Sequence, residues 1–90
     1  MSKNVVIVSA VWCGSCLILK THLKKLKEEY QELEIKYLDY DIDEEEVSGL
    51  NVSNKLPVII AYNDSIEISR LIGEKSYEEI VNFLKECSII

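Results

Sequence analysis

The chain has 90 residues and a formal net charge of −6, with 48% hydrophobic and 29% charged residues. This length and balance predict one globular domain over residues 1–90 and exclude a disordered chain. The apolar runs are far shorter than the roughly 20 residues of a membrane span, so we expect no membrane contact. The acidic balance excludes nucleic acid as a partner, because phosphate binding needs a basic patch.

The termini and cysteines indicate a compartment. The first residues lack the ordered basic region, apolar stretch and cleavage site of a secretion signal, so we expect a cytoplasmic protein. Three cysteines, Cys13, Cys16 and Cys87, are too few for a secreted disulfide framework. In a reducing cytosol, closely spaced cysteines are more often catalytic or metal-binding than structural.

The first half of the chain predicts the order β-α-β-α. Residues 5–11 form an almost continuous apolar run, typical of a strand buried on both faces. A helix follows, because apolar residues recur at spacings of four, three and four at Leu19, Leu23, Leu26 and Tyr30. Residues 34–41 predict a second strand with Ile35, Leu38 and either Tyr37 or Tyr40 inward, and residues 44–50 predict a short helix.

The second half predicts β-β-α. Pro57 opens an apolar strand over residues 58–62, and the turn residues 63–65 lead into a returning strand, which together indicate a hairpin. Ser76 and Glu79 form a capping-box pattern before a helix whose apolar face carries Ile80, Phe83, Leu84 and Cys87. With a right-handed crossover after the first strand, the order predicts an α/β fold: a four-stranded mixed sheet with helices on both faces.

Cys13 and Cys16 stand where a buried strand ends and a helix begins. The helix N-terminus favours an anion, and the thiolate is the nucleophile of disulfide exchange. Cys16 follows one helical turn later on the same side, so a disulfide can close without large backbone movement. Because Gly14 and Ser15 are small, a substrate disulfide can approach Cys13, and we expect Cys16 to resolve the mixed disulfide.

A zinc site is the main alternative for these cysteines. Cys13, Cys16, Cys87 and His22 formally make up a Cys₃His set. However, Cys87 falls on the apolar stripe of the last helix, and His22 flanks the stripe of a lysine-rich helix. We therefore expect no metal, with Cys87 in the core and His22 at the surface.

Three segments carry a family resemblance: Trp12-Cys13-Gly14-Ser15-Cys16, Leu56-Pro57-Val58, and Gly73 sixteen residues after Pro57. With this motif and element order, nearly the whole chain resembles the thioredoxin superfamily. The resemblance implies a thioredoxin-like fold and a Cys13–Cys16 dithiol/disulfide couple that needs no cofactor. It also implies a cis Pro57, a Leu56 backbone that pairs with substrate, and substrate contacts from Trp12, Gly14, Ser15 and Gly73.

Partners follow from the same resemblance. It implies disulfide-containing protein substrates, such as ribonucleotide reductase or peroxidases, a thioredoxin-reductase-like electron donor, and a monomer. The function expected is therefore thiol–disulfide oxidoreductase, in the direction of protein-disulfide reduction.

The chain departs from the family pattern at four positions. Ile7 stands where the family has a buried aspartate, and the accompanying lysine falls on or next to Tyr37, with Lys36 adjacent. We therefore expect a different route for the Cys16 proton. Ser15 replaces the proline of the motif, which predicts a more oxidising potential, and Leu17 replaces a common basic residue.

Two other functions remain open from the sequence. One is a glutaredoxin-like electron donor, since Leu56-Pro57-Val58-Ile59-Ile60-Ala61 also resembles such reductants. Against glutathione binding, Gly73 is followed by Glu74-Lys75-Ser76 and not by a Gly-Gly and aspartate pattern. The other is a non-catalytic thioredoxin-fold or zinc-binding module, which the intact cysteine pair disfavours.

Overall fold

The computed structural model describes residues 3–90 and confirms the predicted order of elements. Met1 and Ser2, which entered the argument on secretion, lie outside the described residues. Within residues 3–90, no helix combines the length and apolar character that crossing a membrane requires. The elements are β1 (Lys3–Ser9), α1 (Gly14–Glu29), β2 (Ile35–Asp39), α2 (Glu44–Ser48), β3 (Val58–Asn63), β4 (Ile66–Ile72) and α3 (Tyr77–Glu86).

The four strands form one mixed sheet in the order β2-β1-β3-β4. Strand β1 runs parallel to β2, as the crossover through α1 predicts, and β3 and β4 form the predicted antiparallel hairpin. Strand β1 also pairs antiparallel with β3, so that Val8 lies opposite Val58. This pairing places the end of β1 beside the start of β3. The segment that follows β1 and the segment that precedes β3, which are distant in the sequence, therefore lie at the same end of the sheet.

Helices cover both faces of the sheet, as predicted. Helices α1 and α3 pack on one face in a first core cluster that includes Leu23 and Leu84 against Val5 and Ile7. Helix α2 packs on the other face through Val47, in a second core cluster with Val6 and Val8. Because successive side chains of a strand point to opposite faces, the apolar run of β1 serves both clusters.

Local sequence signals explain the ends of several elements. Asp64 and Ser65 both adopt positive φ, at 52° and 68°, as a two-residue hairpin turn requires. Ser76 caps α3, and the capping box with Glu79 is complete, as predicted. Helix α1 begins at Gly14, so Cys13 is its N-cap residue.

Strand β2 settles the question of which tyrosine faces inward. Tyr37 is 55% exposed on this edge strand. Tyr40, just beyond the strand, is partly buried and packs against the second core cluster. Of the two alternatives, the structure therefore selects Tyr40.

Candidate active site

Three segments lie at the end of the sheet where β1 ends. Strand β1 leads through a turn to Cys13, whose backbone N–H donates to the Ala10 carbonyl at 3.2 Å. The Leu56–Pro57 peptide bond immediately before β3 is cis, as the resemblance implies. Beyond β4, the backbone N–H of Gly73 donates to the Pro57 carbonyl at 2.9 Å. Leu56 belongs to the same core cluster as Cys13 and Cys16, so the predicted loop lies against the cysteine pair.

The two cysteines are free thiols in unequal environments. Cys13 is 9% exposed at the helix N-cap, whereas Cys16 is 2% exposed inside the first turn. Burial is the main cause that raises the pKa of Cys16 to about 11, and its hydrogen bond with the Cys13 side chain adds to the shift. Cys16 is therefore protonated at neutral pH, and Cys13 is the more accessible sulfur.

Trp12 is held at the surface next to the pair. Its indole N–H donates to Asp41 Oδ2 at 2.8 Å, and its ring meets Tyr40 edge-on with centroids 6.1 Å apart. The ring is still 54% exposed, so it offers an apolar face to solvent. The sequence did not point to Asp41, because its 29-residue separation from Trp12 leaves no local pattern.

Several exposed apolar residues lie close in sequence to these segments or to residues bonded to them. Residues 3–90 contain nine large hydrophobic residues that are strongly exposed, and six adjoin the cysteine pair or the segments bonded to it: Val11, Trp12, Leu17, Ile18, Ile42 and Ile72. Sequence reasoning had singled out only Trp12 as an exposed contact. The available signal for Val11 and Ile42 was an apolar residue next to a polar turn. We call these six residues the apolar rim.

Comparison with known proteins identifies the family to which this chain belongs. The family model described as Thioredoxin matches residues 1–86. The chain belongs to the thioredoxin family. It is a thiol–disulfide oxidoreductase, and proteins of this family act through their cysteine pair without a cofactor.

Individual relatives agree with this assignment. The chain is 29% identical over 77 residues to a thioredoxin of Chlamydia pneumoniae, covering 86% of this chain and 74% of that protein. It is 30% identical over 64 residues to thioredoxin-2 of Saccharomyces cerevisiae, covering 71% and 61%.

Solved structures give the same picture. Mitochondrial thioredoxin 3 of Saccharomyces cerevisiae superposes with a TM-score of 0.83 at 25% identity, over 93% of this chain and 77% of that chain. A reduced thioredoxin pre-protein of Schistosoma mansoni gives a TM-score of 0.81 at 28% identity, with the same coverage.

The remaining sequence-predicted residues of this thioredoxin fall as follows. Gly14 is exposed and opens α1, and Ser15 is partly exposed behind it. Gly73 has φ +91°, a conformation that favours glycine. Cys87 is buried in the first core cluster, apart from Cys13 and Cys16 in the second. His22 is partly buried beside Tyr77, with ring centroids 6.1 Å apart.

The structure gives the zinc alternative no support. No group of three or more His, Cys, Asp or Glu side chains within residues 3–90 is arranged to hold a metal ion.

Two of the four departures from the family pattern, at Ile7 and Tyr37, are adjacent in the sheet. Ile7, the residue at the expected aspartate position, is 1% exposed and lies opposite Tyr37, on or next to which the expected lysine position falls, in the parallel pairing of β1 with β2. Lys36 points to the opposite face and binds Glu46 Oε2 at 2.8 Å. Among residues 3–90 no polar or charged side chain is buried, so Cys16 has no buried carboxylate beside it.

Proposed function

We propose that this thioredoxin reduces disulfides of protein substrates in the cytoplasm, with Cys13 as the attacking thiol and Cys16 as the resolving thiol. Cys13 as thiolate attacks one substrate sulfur, forming a mixed disulfide and releasing the other substrate sulfur as a thiolate that takes up a proton. Cys16 then attacks the Cys13 sulfur. The second substrate thiol leaves, so the substrate gains two electrons and the cysteine pair becomes a disulfide.

The unequal exposure of the two cysteine residues is the observation that carries this division of roles. At 9% against 2% exposure, Cys13 is the sulfur that a bulky disulfide reaches first. Cys16 keeps its proton at neutral pH because its pKa is raised to about 11, chiefly by burial. A protonated thiol is a poor nucleophile, so Cys16 does not compete for the first attack.

The surroundings of the pair support an extended protein segment as substrate. Within residues 3–90, the backbone N–H and carbonyl of Leu56 have no hydrogen-bond partner, which leaves them available for strand-like pairing. The apolar rim supplies surface for side chains on either side of the substrate cysteine. Trp12, Gly14, Ser15, Pro57 and Gly73 complete this proposed groove.

We propose a thioredoxin-reductase-like flavoprotein as electron donor and a monomer as the working form. The glutaredoxin-like alternative requires glutathione as donor, and Glu74-Lys75-Ser76 after Gly73 does not supply the expected glutathione-binding pattern. The two donors are separated by comparing re-reduction of the oxidised protein by NADPH with a thioredoxin reductase and by glutathione with glutathione reductase.

The proposed roles are tested by exchanging each cysteine for serine and measuring reduction of insulin disulfides. We expect Cys13→Ser to abolish reduction and to form no mixed disulfide. Cys16→Ser also loses turnover, but it accumulates a covalent complex with substrate through Cys13, visible by non-reducing electrophoresis and mass spectrometry. The control is Cys87→Ser, in the other core cluster, for which we expect activity within twofold of the parent protein. Trapping through Cys16 in Cys13→Ser, with none through Cys13, would contradict the proposal.

A further inference from the structure

Cys16 lines a small cavity that is also lined by two charged residues. The cavity has a volume of about 150 Å³, and Lys20 of α1 and Asp39 at the end of β2 line it together with Cys16. Neither the motif nor the family resemblance assigns a role to Lys20 or Asp39. Both residues therefore stand beside the resolving thiol without an assigned function.

The resolving step needs a route for the Cys16 proton. Burial, the largest cause, raises the pKa of Cys16, so its thiol is protonated at neutral pH, whereas the thiolate is the attacking form. The position six residues before Cys13 holds Ile7, which cannot accept a proton. Since no charged side chain of residues 3–90 is buried, any assisting group must lie at an opening to solvent.

Few titratable groups face Cys16. From β1, β3 and α2, its core cluster contains only apolar side chains such as Val8, Val58 and Val47. The titratable groups that remain are Cys13, Lys20 and Asp39, with the Tyr40 and Tyr62 phenols packed against the same cluster. The Lys20 ammonium favours the Cys16 thiolate through its charge, acting against the burial that raises the Cys16 pKa.

Asp39 is held in place by its own turn. Its Oδ1 accepts the backbone N–H groups of Asp41 and Ile42, both at 2.9 Å. Its Oδ2 has no hydrogen-bond partner within residues 3–90. One carboxylate oxygen is thus fixed by the turn, which leaves the other available as a proton acceptor on a residue that lines the cavity.

We propose that the Cys16 thiol loses its proton to the Asp39 carboxylate across this cavity and that the Lys20 ammonium stabilises the resulting thiolate. The inference rests on the proposed role of Cys16 as the resolving thiol. The Cys16 sulfur then attacks the Cys13 sulfur, the Cys13–substrate bond breaks, and the leaving thiolate takes up a proton from water. Asp39 returns its proton to solvent, so charge and protons balance over the step.

The resolving step can be timed with 5,5′-dithiobis(2-nitrobenzoate). Attack by Cys13 releases one equivalent of the coloured thiolate, and attack by Cys16 on the mixed disulfide releases a second. We expect Cys16→Ser to lose only the second release. Stopped-flow rates of the second release, measured from pH 6 to 10, report the ionisation of Cys16 directly.

Lys20→Met is the first test of the proposed assistance. Because Lys20 is exposed and its charge is screened by solvent, loss of this interaction should slow the second release at pH 7 by roughly threefold and move the pH–rate profile to higher pH. The matched control is Lys24→Met, one helical turn further along α1, for which we expect an unchanged profile. Equal profiles for the two variants would overturn the role of Lys20.

The Asp39→Asn variant distinguishes two possible roles of Asp39: acceptor of the Cys16 proton, or a negative charge that acts only electrostatically. Asparagine keeps an oxygen for the Asp41 and Ile42 N–H groups but cannot take the proton. If Asp39 acted only through its charge, removing it would favour the thiolate and speed the second release. We expect the release to slow several-fold and added imidazole, an external base, to restore it.

The control for the turn is Asp43→Asn, since Asp43 Oδ2 accepts the Asp39 backbone N–H but does not line the cavity. An unchanged or faster release in Asp39→Asn would overturn the inference and leave the proposed function intact. No second release in the parent protein would overturn both.

Discussion

Ile7 and Tyr37 are single-residue departures from the family pattern that bear on how the Cys16 proton is handled. The parallel register sets Ile7 beside Tyr37, so neither the buried acid nor its basic partner is present there. The sequence predicted this departure from the spacing to Cys13. It did not reveal Lys20 and Asp39 at the cavity of Cys16, because they belong to elements that meet only in the folded chain.

The backbone conformation at Gly73 favours glycine over residues that carry a side chain. Its φ of +91° is a conformation that side-chain-bearing residues rarely adopt, although a Cβ there would meet no atom within 4 Å. We therefore expect Gly73→Ala to lower the free energy of unfolding by about 1–2 kcal/mol through backbone strain and not through a clash. Urea denaturation of the purified proteins measures the change.

Gly49→Ala is the matched control for this experiment. Gly49 follows α2 with φ −75°, and a Cβ would lie 3.6 Å from the Glu46 carbonyl oxygen, an ordinary contact. We expect it to be neutral or to stabilise the fold by about 0.4–1 kcal/mol, because alanine restricts the unfolded chain. Equal destabilisation by both alanines would show that φ at Gly73 is not what matters.

Helix α3 shows how completely a local signal can define an element. The Ser76 hydroxyl accepts the Glu79 backbone N–H at 3.1 Å, and Glu79 Oε1 accepts the Ser76 backbone N–H at 3.2 Å. Ser76→Ala should reduce the free energy of unfolding by about 1 kcal/mol. The exposed Ser48→Ala in α2 serves as control, and we expect its effect to stay within about 0.5 kcal/mol.

The same capping box predicts a pH dependence. Hydrogen bonding to the Ser76 backbone and side chain lowers the pKa of Glu79 below its usual 4.5. Its contribution to stability is therefore fully present above pH 4.5 and is lost as the pH falls through the lower, folded-state pKa. We expect thermal unfolding of Glu79→Gln to show a smaller loss of stability below pH 4.5 than the parent protein. Identical pH curves would contradict a capping role for the carboxylate.

At the scale of the whole molecule, the order of elements followed from periodicity and turn residues, and the mixed sheet followed from that order. The antiparallel pairing of β1 with β3 joins strands that are about 50 residues apart in the sequence, so no local sequence pattern predicts it. That pairing brings Pro57 to the cysteine turn, which the sequence supplied only through the family resemblance. The apolar rim was not predicted for the same reason, since Ile42 and Ile72 are linked to the site through their neighbours Asp41 and Gly73, which bond to Trp12 and Pro57.

The central claim is that Cys13 and Cys16 form a reversible dithiol/disulfide couple. Its most direct test is equilibration of the purified protein in thiol/disulfide buffers of graded potential, with the disulfide counted by mass spectrometry. We predict a reversible Cys13–Cys16 disulfide with a midpoint between about −270 and −200 mV, on the less negative side because Ser15 replaces proline. Failure to form an intramolecular disulfide at any potential would contradict the account.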